Sequence, residues 1–125
     1  MTVPSERCRA IRWGSKLLER LEGDPDLLET TRAQVRDLHR AYPTAGQLTD
    51  HLAAGTNGLP PAWTCAIQEA YVLFNALWCS DDDSPDTRDE LKWVMRHYPD
   101  PYTTALMGDE RGDIRGWLVH EESYR

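Results

Sequence analysis

Side chains able to hold a metal or attack a substrate are few in this chain and poorly spaced for either task. The histidines are His39, His51, His97 and His120, and the cysteines are Cys8, Cys65 and Cys79. No Cys-x-x-Cys, no His-x-x-x-His and no Cys/His pair at ligand spacing occurs, so no metal site is expected. Cys65 and Cys79 sit near the two ends of an apolar helical segment, and the thiols are expected to behave as inert small hydrophobes. The glycines form no Gly-x-Gly-x-x-Gly or Walker loop, and no Gly-x-Ser-x-Gly elbow is present. That removes the common nucleotide cradles and the hydrolase nucleophile. The expectation is a non-enzymatic chain without cofactor.

What the chain does have is carboxylates and tryptophans. Its 125 residues carry 21 Asp/Glu against 14 Lys/Arg, a net charge of -7. Residues 1–62 balance at eight of each sign, so the whole excess lies in residues 63–125. Its densest stretch is Asp81, Asp82, Asp83, Asp86, Asp89 and Glu90, offset only by Arg88. Such a cluster makes a local field that steers a basic partner. It also argues against direct nucleic-acid binding, which needs a basic footprint. A plainer role exists for Asp86 and Asp89, because acids are favoured at a helix N-terminus.

The elements that position these residues read as helices. Cys8, Ile11, Leu18 and Leu21 keep the three-and-four spacing of one buried face. Leu28, Val35, Leu38 and Tyr42 form a second stripe, and Pro43 stops it. Thr44-Ala45-Gly46-Gln47 has the form of a capping box and opens a short third helix to about Ala54. Trp63, Ile67, Ala70, Phe74 and Leu77 mark a fourth helix after Pro60-Pro61. Ser84-Pro85-Asp86-Thr87 opens a fifth, with Leu91, Val94, Met95 and Tyr98 as its stripe and Pro99 as its stop. A short helix follows Pro101, and Ile114 to His120 is apolar enough to dock. No long period-two alternation exists, so no sheet is expected.

Sliding the chain on itself at an offset of 56 aligns residues 9–43 with 65–99. Identities there include Ala10/Ala66, Ile11/Ile67, Leu17/Leu73, Leu21/Leu77, Arg32/Arg88, Arg40/Arg96, Tyr42/Tyr98 and Pro43/Pro99. The expected fold is therefore all-α, two related helical hairpins in one small domain spanning 1–125. Repeat 1 covers about 4–43, a short helix and linker 44–60, repeat 2 about 61–99, and a short helix and tail 100–125. The paired arginines suit helix C-termini or neighbouring acids, and an anion is the alternative. Trp13, Trp78 and Trp93 align with Glu69, Glu22 and Asp37. Since an acid is rarely buried unpaired, these rings occupy either the contact between repeats or a partner surface.

The first half also resembles a family of short proteobacterial proteins with no assigned activity. Its mark is Pro-x-Glu-Arg-x-Arg-Ala followed by two helices, the second ending in Tyr-Pro. The matching residues are Pro4, Glu6, Arg7, Arg9 and Ala10, then Arg40, Tyr42 and Pro43, within residues 3–48. The resemblance implies a helical hairpin and transfers no catalytic residue.

Together these readings predict a cytoplasmic protein that binds another protein and blocks it, with no membrane contact. The complement of Asp81, Asp82, Asp83, Asp86, Asp89, Glu90 and Trp93 is a partner with a basic surface, such as a nucleic-acid-handling protein. Phage anti-defence inhibitors and toxin-immunity proteins share this size and charge. The alternatives are a homodimeric adaptor and a binder of small anions between the hairpins near Tyr42, Tyr98 and the paired arginines.

Overall fold

The computed structural model describes residues 2–55, 58–80, 85–109 and 112–119. Six α-helices carry the chain among these residues: α1 (Pro4–Glu22), α2 (Glu29–Ala41), α3 (Ala45–Ala53), α4 (Pro61–Cys79), α5 (Pro85–His97) and α6 (Pro101–Met107). A single 3-10 turn follows at Ile114–Gly116. Proline is the first residue of α1, α4, α5 and α6, where its missing N–H costs nothing and its fixed φ favours the helix. Thr44 caps α3 by accepting the Gln47 N–H, and Asp100 caps α6 by accepting the Thr103 N–H. None of these helices is long and apolar enough to cross a membrane.

The four long helices close a ring in the order α1, α2, α4, α5, with α3 packed on α1 and α6 on α4. Each presents its apolar stripe inward. Ile11, Leu17, Leu18 and Leu21 of α1 meet Val35 and Leu38 of α2, Ile67, Ala70 and Phe74 of α4, and Leu91 and Val94 of α5. Ile114 and Leu118 of the tail are also buried. Arg7 holds the tail to α1 by donating to the Trp117 carbonyl at 2.8 Å.

Two details differ from expectation. Leu28 is 74% exposed and only precedes α2, which starts at Glu29. Its neighbour Leu27 packs partly against the core instead. Cys65 and Cys79 are exposed and only Cys8 is buried, because α4 turns Ala66, Ile67 and Ala70 inward and leaves residue 65 on the opposite arc.

At the centre lie two tyrosines. Both α2 and α5 end at a Tyr-Pro, and both rings fold back into the ring of helices, where they are buried. The Tyr42 hydroxyl donates to the Ile11 carbonyl at 2.8 Å, and the Tyr98 hydroxyl lies 3.2 Å from the Ile67 carbonyl. The two hydroxyls are 3.0 Å apart. Gly14 permits this approach, since a Cβ there would stand 2.6 Å from the Tyr42 hydroxyl oxygen. Phe74 meets the Tyr98 ring edge-on, with centroids 5.5 Å apart.

Burial pushes both phenols above their ordinary range, and for Tyr98 the neighbouring Tyr42 adds to the rise. A phenol whose folded pKa is raised keeps its full contribution to stability below about pH 10, the unfolded value, and loses it as pH climbs toward the folded value. Urea unfolding should therefore be flat with pH up to about 10 and then lose up to ~1.4 kcal/mol per pH unit for each buried tyrosine. Tyr98→Phe should shallow that alkaline slope, and Tyr42→Phe should cost about 1–3 kcal/mol at neutral pH by stranding buried partners. A wild-type curve flat to pH 12 would contradict the buried pair.

Candidate functional site

On α5, residues Thr87, Leu91 and Val94 face the core. Helical spacing then puts Asp86, Asp89, Glu90 and Trp93 (i, i+3, i+4, i+7) on one outward arc. Asp86, Asp89 and Trp93 are exposed and Glu90 is half-buried. The fold thus brings four of the predicted partner-binding residues together, whereas Asp81, Asp82 and Asp83 lie outside the described residues.

Glu90 is the member turned toward α1. Its carboxylate pairs with the Arg20 guanidinium at 2.9 Å, and Arg20 also donates to the Thr87 hydroxyl at 3.1 Å. At the other end of the same two helices Glu6 pairs with His97 at 2.7 Å. Because Arg20 meets the start of α5 and Glu6 its end, the helices run antiparallel. The Arg20–Glu90 pair is largely exposed and contributes little to stability, whereas Glu6 and His97 are the more buried pair; together they set the register.

Between these two pairs α1 and α5 leave a groove. Its larger part, about 620 Å³, is lined by Trp13, Lys16, Leu17, Arg20, Glu90, Trp93 and Val94. A smaller adjoining cavity, about 270 Å³, shares Trp13 and Trp93 and is completed by Glu6, Arg9, Ala10, Arg96 and His97. The two tryptophans therefore line both cavities. Trp13 is 38% exposed with Arg9 stacked 5.3 Å from its centroid, and Trp93 is 54% exposed. The remaining tryptophans have other work. Trp63 and Trp117 pack against the core, and Trp78 lies under Arg88 at 4.5 Å.

The recurring arginines separate in role. Arg88 donates to the Trp78 and Ser80 carbonyls at the end of α4, tying α5 to it. Arg32 pairs with Glu29 within its own helix. Arg40 and Arg96 are exposed in the last turns of α2 and α5. Tyr42 and Tyr98 are buried in the core and offer no surface to a ligand, and Arg96 lines the α1–α5 groove.

Across the molecule α2 and α4 leave a second groove, about 330 Å³, lined by Gln34, Asp37, Leu38, Glu69 and Val72. Each of these five stands 56 positions from a residue lining the first groove: Glu90, Trp93, Val94, Trp13 and Lys16. Where one groove has two tryptophans, the other has two carboxylates. Sequence reasoning singled out Trp93 and noted Trp13, but it had no signal that the two share a groove or that Lys16, Arg9 and Arg96 join them. Among the described residues no group of three or more His, Cys, Asp or Glu is placed to hold a metal ion.

No protein-family model, curated protein or solved structure matches this chain. The chemistry of the site is read from its own residues.

If the exposed tryptophans are surface rather than packing residues, their removal should hardly affect folding. Trp93→Ala is expected to cost under about 1 kcal/mol, against about 3–5 kcal/mol for Phe74→Ala in the core. Thermal and urea unfolding of the two variants makes the comparison. A loss from Trp93→Ala as large as that from Phe74→Ala would show that the ring is structural.

Proposed function

We propose that this protein is a non-enzymatic inhibitor that acts in the cytoplasm by binding another protein with a basic surface, of the nucleic-acid-handling kind. The observation that carries this reading is the exposed Trp93 on the same arc of α5 as Asp86, Asp89 and Glu90. An exposed tryptophan is a residue type enriched among interface anchors, and the acids one and two turns before it on α5 steer and orient the partner. Asp81, Asp82 and Asp83 precede α5 in the chain and join the rim on sequence grounds alone. Anti-defence inhibitors and immunity proteins are the functional class this charge and size fit.

We also propose that the architecture is a tandem of two related units, each a helical hairpin with a third short helix appended. Support comes from registers rather than identities. The hydroxyls of Tyr42 and Tyr98 each reach a carbonyl 31 positions earlier. Helices α3 and α6 start 56 positions apart, as do their capping residues Thr44 and Asp100. The two grooves obey the same offset.

The test is capture from host lysate with the full chain as bait, beside an Asp86→Lys/Asp89→Lys variant and Trp93→Ala. A basic protein retained by the wild type should fall about tenfold or more with Trp93→Ala, the scale of an anchor residue. It should be lost from the charge-reversed bait, and wild-type capture should weaken as salt rises. Identical captured proteins at identical levels from all three baits would overturn the proposal.

A further inference from the structure

We propose that the α1–α5 groove is a binding site for a small amphiphilic anion, with a planar apolar body between Trp13 and Trp93 and its anionic group at Arg96. This goes beyond the partner reading and does not rest on it. The larger cavity lies within the roughly 300–1,000 Å³ of small-molecule sites and has their character, an apolar wall with a few polar groups at its edges. Leu17 and Val94 supply the floor and the two indoles supply the sides. A flat ring system gains most from such walls through stacking and burial.

The charge at the groove sets the sign of the ligand. Around the two cavities stand Arg9, Lys16, Arg20 and Arg96 against only Glu6 and Glu90. Both carboxylates are already engaged, Glu90 by Arg20 and Glu6 by His97. Lys16 and Arg96 are exposed and form no ion pair among the described residues. In a chain of net charge -7, this groove is a local excess of positive charge, and an anionic head is what it complements.

The molecule contains its own comparison. The α2–α4 groove is built from the positions 56 residues away, yet it carries Asp37 and Glu69 where the α1–α5 groove carries Trp93 and Trp13. A groove at the corresponding positions thus forms there without aromatic rings. With Trp93 more than half exposed, its indole face is available to a ligand.

The probe is 8-anilinonaphthalene-1-sulfonate, with neutral N-phenyl-1-naphthylamine as the uncharged analogue, titrated into the full chain by fluorescence. The site should bind one sulfonate per chain, saturably, in the micromolar range. Arg96→Ala and Trp93→Ala should each weaken it about tenfold or more, and the neutral analogue should bind at least tenfold more weakly. Arg40→Ala, at the corresponding position of α2, should leave it unchanged. Circular-dichroism melts and urea m-values matching wild type keep the variants comparable, because a loosened core would also bind the dye. The proposal is overturned if wild type shows no saturable 1:1 binding below 500 µM of probe. Equal affinity for Arg96→Ala and wild type overturns it as well.

Discussion

Two phenolic protons serve three short contacts at the centre of this protein. Tyr42 and Tyr98 lie within hydrogen-bond distance of each other and of the Ile11 and Ile67 carbonyls, so at any instant one contact lacks its proton. The shorter distances favour a chain from Tyr98 to Tyr42 to Ile11. In a dry interior such a chain is strengthened by the low dielectric, and losing one member strands the others. Every long helix touches it. Tyr42 ends α2, Tyr98 ends α5, and their acceptors lie inside α1 and α4. The pair therefore fixes how α1, α2, α4 and α5 meet, and Gly14 is the small residue that lets α1 come close enough.

That packing in turn sets the groove. With Tyr98 buried, the inward arc of α5 is committed to Thr87, Leu91 and Val94. The arc carrying Trp93 is left facing outward along α1. Arg20 with Glu90 and Glu6 with His97 then hold the register, which aligns Trp93 opposite Trp13 rather than a turn away. A one-turn slip would move the rings about 5.4 Å apart along the axes and divide the groove.

Much of the helical layout was legible because its signals are local. The stripes of α1, α4 and α5, the Tyr-Pro stops and the Thr44 capping box depend on residues within a turn or two. Leu28 was misplaced for the same reason. Its spacing suits the α2 stripe, but the chain before Glu29 is not helical, so the spacing has no meaning there. The offset of 56 made Tyr42 and Tyr98 correspond, yet correspondence is not contact, and nothing in one dimension said that the hydroxyls meet. The parallel between α3 and α6 was invisible, since no residue of 44–53 is identical to its counterpart in 100–109. Trp93 was legible as an exposed ring beside acidic neighbours, and it is 54% exposed. Trp13, Lys16 and Arg96 reach it only through the antiparallel packing of α1 on α5.

One helix carrying an acidic rim and the mouth of an anion site raises an electrostatic objection, and distance answers it. Asp86 and Arg96 are ten residues apart, or about 15 Å at 1.5 Å per residue. Screening at physiological ionic strength has a length of about 8 Å, so Asp86 and Arg96 feel little of each other, while Glu90, about 9 Å from Arg96 along the axis, is already paired with Arg20. A basic surface at Asp86 and Asp89 is not repelled by Arg96, and an anion at Arg96 is not repelled by the rim. At about 0.01 M salt the screening length grows to roughly 30 Å, and the two fields overlap along the whole helix. The two surfaces share Trp93 and Glu90, so what salt separates is their charged ends, Asp86 and Arg96. The length of α5 is what makes that separation possible.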